Sequence, residues 1–483
     1  MRRRCGRPPR MIALSLAQLA DVVGGELLSE DAAGRMLDRV TIDSRDAGPG
    51  ALFVALPGSR TDGHRFVGAA IAAGAAGALI SDASGDEVPA DAPAVVVDDP
   101  ADALLGLGIW VRDTVDPLVI AVTGSNGKTT TKDLIAAAGA GRHLVANQGS
   151  FNNELGVPLT CCRVEPGTEL LVCELGMRGA GQIAELTGLL RPTIGVVTSV
   201  AAVHLELLGS LEAIADAKAE LIEGLPPDGV AVLAADDPRV AAMAARTPAR
   251  VVTFGQSPAA EWRARDVVLD DDARATFALD GPAGSATVRV PVPGLHNVGN
   301  ALAALAAAVE AGVDLDAAVA GLERAAVSPW RLQLEHIDGV RVLNDAYNAN
   351  PTSTIAALRT LAHLPTRGRR LAVLGTMAEI GETSVSEHRR VGAEVAALGI
   401  DALIVVGPHA AAIRAGADVA DPAGADRRWA VDDVDGAVAL LASELRGGDV
   451  VLVKASRSAA LEGVVTRLDA RLRTAGAMGD IPS

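Results

Sequence analysis

Short apolar runs alternate with stretches of helical spacing along most of the chain. In residues 11–98 the apolar runs are VTIDS, ALFVAL, GALIS and AVVVD, and helix-patterned segments separate them. This alternation predicts a small α/β domain over residues 11–98. The basic segment 1–10 lacks the pattern, and we expect it to be a disordered extension.

A second domain is predicted over residues 99–326. The segment ADALLGLGIWVRDTV has helical spacing and leads into it. From residue 118 onward, strands such as LVIAV, ELLVCEL and TIGVVTS alternate with helical segments, as in a mostly parallel sheet. Residues 263–292 predict further short β segments with Gly and Pro turns between them.

The third predicted domain covers residues 327–483. The strands VRVLND, RLAVLG, ALIVVG and DVVLVKA are again separated by helical stretches, which indicates a Rossmann-like topology. The segment has no G-x-G-x-x-G, so nothing in it indicates a dinucleotide. The expected fold class is therefore α/β in three domains.

Composition supports this division and excludes some functions. A length of 483 residues with 49% hydrophobic content can fill about three packed domains. The net charge of -17 argues against a nucleic-acid or membrane-surface binder, because both need a positive face. With no signal peptide and no apolar run of roughly 18 residues, we expect a cytoplasmic protein without membrane insertion. We expect reduced, mostly core thiols at Cys5, Cys161, Cys162 and Cys173.

The strongest chemical signal is a phosphate-binding loop, TGSNGKTT at 123–130, between an apolar strand and a helix. Glycines let backbone N–H groups close around phosphate oxygens, Lys128 can reach the terminal phosphates, and Thr129 can ligate Mg²⁺. Val122 stands where the general pattern has its first glycine. The loop indicates a nucleoside triphosphate, and its expected binding residues are Gly124, Ser125, Asn126, Gly127, Lys128, Thr129 and Thr130.

Other motifs carry a specific family resemblance. The loop together with FNNELGVP at 151–158 resembles the Mur ligases. VTIDSR at 40–45 and PGSRTDGHRF at 57–66 are similar to the UDP-muramoyl-binding domain of that family, and DAYNANP at 345–351 resembles its dipeptide-adding branch. The resemblance implies a monomer that uses ATP to join D-alanyl-D-alanine to a UDP-N-acetylmuramoyl tripeptide through an acyl phosphate.

The resemblance also implies two Mg²⁺ ions. Glu174 ends the strand ELLVCE, where an α/β ATPase can present a carboxylate to the nucleotide-bound ion. By themselves, a histidine after a strand and a lysine on a helix are more often structural or solvated. The family uses such residues for the second ion, and its lysine is carbamylated because an ammonium would repel Mg²⁺. The implied metal ligands are Thr129, Glu174, His204 and Lys218.

The remaining site residues follow from the same resemblance. Asn297, which with Asn300 opens a helix, is implied at the adenine, although asparagine is also a common helix cap. Arg331 and Asp345 are implied as γ-phosphate and ribose contacts from the third domain. The implied catalytic set is Lys128, Glu174, His204, Lys218 and Arg331.

Substrate contacts are implied in two groups. Ser44, Arg45, Asn152 and Asn153 match positions for the UDP substrate. Asn348, Lys454, Ser456 and Arg457 match the cleft near the dipeptide. Thr352 and Thr376 stand where many members carry aspartate, so the individual contacts to the dipeptide stay open.

Two alternatives remain beside this interpretation. The first is another amide ligase of the superfamily, either an amino-acid-adding Mur ligase or a folylpolyglutamate synthetase-like enzyme. The chain has no D-N-P-R motif of the diaminopimelate-adding type, and the folylpolyglutamate type shares the ATPase core but lacks the amino-terminal motifs. A non-catalytic paralogue could bind a UDP-muramoyl peptide without turnover, although the intact loop argues against it. Residues from separate domains require closure, and residues 323–330, with Pro329, form the expected hinge.

Overall fold

The computed structural model describes residues 10–58, 61–81, 88–89, 91–203 and 205–477, with side chains up to residue 471. Residues 1–9, which include Cys5 and nearly all of the expected extension, lie outside the described residues, as does His204. Sheets of five, nine and six strands follow one another along the chain and confirm the α/β prediction. In the described ranges, no helix is both long and apolar enough to cross a membrane.

The first sheet forms in the amino-terminal part of the chain. Helix formation starts at a capping box, in which the Ser15 hydroxyl accepts the Gln18 N–H and the Gln18 side chain accepts the Ser15 N–H. The elements are β1 (Leu14–Ser15), α1 (Leu16–Val23), β2 (Glu26–Leu27), β3 (Met36–Leu37), β4 (Arg39–Thr41), β5 (Ala51–Val54), α2 (Val67–Ala72), β6 (Gly77–Ser81) and β7 (Ala94–Val97). Their sheet has the order β2-β7-β6-β5-β4 and is parallel except for β2, whereas β1 pairs with β3.

The long helix predicted at ADALLGLGIWVRDTV is α3 (Pro100–Val115). Asp99 caps it, and Pro100 occupies its first turn, where the missing N–H costs nothing. The helix leads into the central sheet, whose strands are β8 (Leu118–Thr123), β9 (Leu144–Ala146), β10 (Leu170–Glu174), β11 (Ile194–Val197), β12 (Val230–Ala234), β13 (Arg250–Gly255), β14 (Trp262–Leu269), β15 (Arg274–Gly281) and β16 (Gly284–Pro293).

The central strands are parallel from β8 to β14, and β15 and β16 extend the sheet antiparallel. Every residue of β10, β11 and β12 is buried, as expected for strands covered on both faces. The covering helices are α4 (Lys128–Ala138), α5 (Gly156–Cys161), α6 (Gln182–Leu190), α7 (Leu205–Leu208), α8 (Leu211–Glu223), α9 (Pro238–Ala242), α10 (Asn297–Glu310) and α11 (Leu315–Glu323). Cys161, Cys162 and Cys173 are free and buried here, which confirms the expectation for them.

The third sheet contains the four predicted carboxy-terminal strands and two more, of which the first is antiparallel to its neighbour. The strands are β17 (Gln333–Ile337), β18 (Val340–Asn344), β19 (Arg370–Gly375), β20 (Ala402–Val406), β21 (Arg428–Val431) and β22 (Val450–Lys454). The helices are α12 (Pro351–His363), α13 (Ser384–Ala397), α14 (Ala411–Ala420), α15 (Val434–Glu444) and α16 (Glu462–Ala477). The sheet order is β17-β18-β22-β19-β20-β21.

Both large sheets change winding direction at the strands that carry the site motifs. In the central sheet β8 lies between β10 and β11, and in the third sheet β19 lies between β22 and β20. Ligands of open α/β sheets bind beyond the carboxyl ends of strands at such switch points. The loops after β8, β10, β19 and β22 therefore frame one candidate cleft. The domain boundaries at 98/99 and 326/327 stay predictions.

Candidate active site

The loop after β8 has a backbone that requires glycine at two positions. Gly124 and Gly127 have φ angles of 144° and 83°, which side chains disfavour. A Cβ on Gly124 would lie 2.0 Å from Thr198 Oγ1, and one on Gly127 would lie 2.2 Å from Asn300 Oδ1. The glycines thus allow the close packing that shapes this loop.

The segment after β11 fixes the loop from the side. Ser125 N–H donates to the Ser199 carbonyl at 2.8 Å, and Asn126 N–H donates to Ser199 Oγ at 3.1 Å. Thr198 Oγ1 donates to the Asn126 carbonyl at 2.6 Å. Because these bonds join protein groups only, the loop has its shape before a nucleotide binds.

Lys128 begins α4 and turns its ammonium back over the loop. Its Nζ donates to the Gly124 carbonyl at 2.7 Å. Burial lowers the pKa of Lys128, and the nearby Glu174 carboxylate opposes that change. Thr129 and Thr130 follow on the buried side of the helix start. A cation therefore lies at the N-terminus of a helix, where phosphate groups bind.

An oxygen-rich cluster lies beside the loop. Thr129 Oγ1 donates to Glu174 Oε2 at 2.5 Å, and Asn152 Nδ2 donates to Glu174 Oε1 at 2.7 Å. Glu174 is 2% exposed, and its backbone N–H donates to Asn147 Oδ1. A hydroxyl and a carboxylate in contact are hard oxygen donors, so this pair fits the chemistry of Mg²⁺.

Lys218 differs from most lysines on helices because its side chain is buried. It lies on α8, is 2% exposed, and lines the same cleft as Lys128. Burial, followed by the charge of Lys128, lowers the pKa of Lys218 well below its usual range. The sequence favoured a solvated helix lysine in isolation, and the burial contradicts that simpler interpretation. His204, its expected partner, lies outside the described residues.

The start of α10 closes the cleft on another side. Asn297 Nδ2 donates to the Pro293 carbonyl at 2.7 Å, and its Oδ1 accepts from Asn300 Nδ2 at 2.7 Å. Asn300 Oδ1 accepts from Thr131 Oγ1, so it ties α10 to α4, the helix that the phosphate loop opens. His296, which lines the cleft, was missed by sequence reasoning, although its place directly before Asn297 was a signal.

The third sheet contributes an arginine to the central site. Arg331 Nη2 donates to Ser150 Oγ at 3.0 Å, and its guanidinium lies 4.1 Å from the Tyr347 ring centroid. The flanking Trp330 and Leu332 have positive φ angles of 62° and 51°. Strained backbone of this kind persists only where surrounding contacts enforce it, and it clusters at functional sites.

Asp345 and Lys454 form a largely buried ion pair that contacts the segment next to Arg331. Lys454 Nζ donates to Asp345 Oδ2 at 2.6 Å and to the Asn348 carbonyl at 2.8 Å. Asp345 Oδ1 accepts the Leu332 N–H at 3.1 Å. The pair therefore orders the segment around Arg331, and the expected ribose contact of Asp345 stays a prediction.

Two further cleft residues order the third-sheet side, and one of them, Asn350, also connects it to the central sheet. Ser456 Oγ donates to the Ala349 carbonyl, and Asn350 Nδ2 donates to Asn126 Oδ1 of the phosphate loop at 2.6 Å. Arg457 stacks over Trp330 at 5.2 Å. Asn348, Lys454, Ser456 and Arg457 all line the cleft, together with Asn152 and Asn153.

Ser44 and Arg45 lie outside the lining of this cleft. They lie in a short 3₁₀ turn, Ser44–Asp46, of the first part of the chain. Arg45 is largely exposed and pairs with Asp43, and these bonds lower the pKa of Asp43 to about 2. Their role in substrate binding stays a prediction.

The cleft has a volume of about 1350 Å³, which exceeds the roughly 300–1,000 Å³ of ordinary ligand pockets. A phosphate loop, a carboxylate–hydroxyl pair and an arginine from a second sheet face this space. Fold and site together define a multidomain P-loop protein built to bind a nucleoside triphosphate and further ligands.

Comparison with known proteins specifies the class. Three family models match: the Mur ligase family catalytic domain at residues 37–107, the Mur ligase middle domain at 122–308, and the Mur ligase glutamate ligase domain at 330–457. The UDP-N-acetylmuramoyl-tripeptide--D-alanyl-D-alanine ligase of Mycobacterium tuberculosis strain H37Rv is 43% identical, over 95% of this chain and 98% of the relative. The Escherichia coli K12 protein of the same name is 38% identical, over 95% and 99%.

Solved structures agree with this relationship. A MurF crystal structure from Acinetobacter baumannii aligns with a TM-score of 0.83 at 30% identity, over 96% of this chain and 100% of that chain. The MurF ligase of Thermotoga maritima in complex with ADP aligns with a TM-score of 0.77 at 27% identity, over 90% and 98%. The chain belongs to the Mur ligase family.

Proposed function

We propose that this chain joins D-alanyl-D-alanine to UDP-N-acetylmuramoyl tripeptide at the expense of ATP, in the synthesis of peptidoglycan precursors. One observation carries the proposal: the phosphate loop, Glu174 and Arg331 converge in one cleft of a chain that aligns over 95% of its length with ligases of that name. A folylpolyglutamate synthetase-like activity is not favoured, because these relatives also match the amino-terminal part.

Amide formation from a carboxylate needs activation, which ATP supplies. The terminal carboxylate of the tripeptide attacks the γ-phosphorus and ADP leaves, giving an acyl phosphate. The dipeptide amine then attacks the acyl carbon, loses a proton and expels phosphate. Lys128 and the loop N–H groups bind the phosphates. The Arg331 guanidinium stabilises the negative charge on the γ-phosphoryl group during its transfer.

The metal chemistry assigned to the site is that of Mg²⁺, which when bound neutralises charge on phosphoryl oxygens. Thr129 and Glu174, in contact at 2.5 Å, would hold one ion. A second ion would use Lys218 and His204. Lys218 can serve only as a carbamate, in which its neutral amine attacks CO₂ and releases a proton. Its burial and lowered pKa favour the neutral amine that this reaction needs.

Substrate binding is assigned to separate parts of the chain. Asn152 and Asn153, which line the cleft, are assigned to the tripeptide, and Ser44 and Arg45 are assigned to the UDP end. Residues 323–330 act as the hinge that brings Arg331 to Ser150 and excludes water from the acyl phosphate. The protein acts as a monomer.

The test is phosphate release from ATP with UDP-N-acetylmuramoyl tripeptide and D-alanyl-D-alanine, omitting each in turn. Folate plus glutamate serves as the competing pair. We expect release only with the complete first set, and a product mass equal to the joined peptide. Release with the folate pair alone would overturn the proposal. Tripeptide binding without any release would instead indicate a non-catalytic paralogue.

A further inference from the structure

The loop between β19 and α13 lines the cleft, and none of the site residues described above belongs to it. Ala378 and Glu379 line the cleft, and Glu379 has a positive φ of 62°. The Glu379 carbonyl accepts the Glu206 N–H of α7 at 3.4 Å. The loop thus spans from the third sheet to the helix that follows β11.

Three further hydrogen bonds hold this loop against its own part of the chain. Ser456 N–H donates to the Thr376 carbonyl at 2.9 Å, and Ala378 N–H donates to Ser456 Oγ at 2.8 Å. Between them, Met377 N–H donates to His388 Nε2 at 3.0 Å. The first two bonds come from the segment after β22, whereas the third comes from a histidine one turn into α13.

The protonation state of His388 follows from its partners. The ring is 1% exposed, and Nδ1 lies 2.7 Å from the Ser384 carbonyl, which can only accept. Nδ1 therefore carries the hydrogen, and Nε2 is left as the acceptor that the Met377 N–H needs. An imidazolium has no acceptor, so only neutral His388 can hold the loop.

We propose that His388 is a positioning residue for ligation, which in its neutral form fixes loop 376–379 as the surface that binds the amine-bearing dipeptide. This inference rests on the proposed function. The phosphate loop and Lys218 line the part of the cleft built by the central sheet, and the proposed function assigns the tripeptide to residues before the third sheet. The wall made by loop 376–379 with Ser456 and Asn348 is left for the third reactant.

The hydrogen bond between Met377 and His388 depends on pH, because it needs a neutral imidazole. The pKa of His388 is lowered overall, and burial is the main cause. His409, in the loop after β20, lowers it further, whereas the Ser384 carbonyl and Glu387 on the same helix partly oppose the change. Because the pKa is lowered, the bond to Met377 is intact at and above neutral pH. The bond is lost at a pH below the usual imidazole pKa, when the pH falls through the lowered pKa of His388 and the ring gains its second proton.

The test compares His388→Ala, His388→Gln and the exposed control His336→Ala. A glutamine oxygen can accept the Met377 N–H, so this variant should restore the bond and remove its pH dependence. For His388→Ala we expect the KM for D-alanyl-D-alanine to rise about tenfold or more at pH 7.5, with the KM for ATP within about twofold, because small misplacements at a reacting group are costly. As the pH falls, the dipeptide KM should rise more steeply in the parent protein than in His388→Gln, because protonation of the dipeptide amine affects both proteins equally.

Hydrogen–deuterium exchange of the peptide around Met377 separates this inference from the proposed function, since it needs no turnover. Exchange should be faster in His388→Ala than in His388→Gln and the control. Unchanged exchange, or an equal rise of all three substrate KM values, would overturn the positioning role. A parent protein that shows no dipeptide-dependent phosphate release would refute the proposed function instead. If the alanine variant does not fold, the glutamine variant and the parent pH profile decide the question.

Discussion

Replacing Arg331 by alanine tests the contribution of the third sheet to catalysis. The change removes one hydrogen bond, from Arg331 to Ser150, which is worth about 1 kcal/mol. It also removes the stacking on Tyr347 at 4.1 Å, worth about 0.5–1 kcal/mol. The free energy of unfolding should therefore fall by at most about 2 kcal/mol, and the fold should persist.

The effect on turnover should be larger than the effect on stability. Loss of one preorganised charge contact in a transition state typically costs about 10²–10³ in kcat, or roughly 3–4 kcal/mol. We expect this loss in Arg331→Ala, while the affinity for a non-hydrolysable ATP analogue changes little, because Lys128 and the loop N–H groups remain.

The assay is steady-state phosphate release with all three substrates, paired with thermal melting. Arg359→Ala is the matched control, since Arg359 lies in the same part of the chain and makes an exposed ion pair with Glu394. The control should keep parental kcat. Turnover of Arg331→Ala within about threefold of the parent would refute the assigned role, and so would an equal loss in the control.

Three further changes test the other assignments. Lys128→Ala should leave melting nearly unchanged and reduce ligation by more than about 100-fold, and near-normal turnover would rule out the phosphate-loop role. Lys218→Ala should lose most turnover and regain part of it with acetate or formate, whereas Lys218→Arg should stay inactive; full activity in the alanine variant would exclude a metal-ligand role. Arg45→Ala should weaken binding of the UDP substrate but not of ATP by calorimetry, and a parallel loss of both would contradict the separate site.

The candidate site was predictable where its determinants are local. The phosphate loop depends on two glycines and a lysine at fixed spacing after an apolar strand, and all of these are neighbours in sequence. Glu174 was found for the same reason, since it is the last residue of a buried strand. Lys218 needed the family resemblance, because its helical spacing alone predicts a solvated face while the structure buries it.

Three features follow from the amino-acid sequence alone: the alternation of strands and helices, the three-part order along the chain and the chemistry of the phosphate loop. Each of these depends on backbone preference or on side-chain periodicity over a few residues. The contacts between distant groups are visible only in the folded protein: Arg331 meets Ser150 across 181 positions, Asn350 meets Asn126 across 224, and Lys454 meets Asp345 across 109. Such pairs depend on how whole sheets pack and on the order in which strands join them, and no local preference of either partner specifies that arrangement.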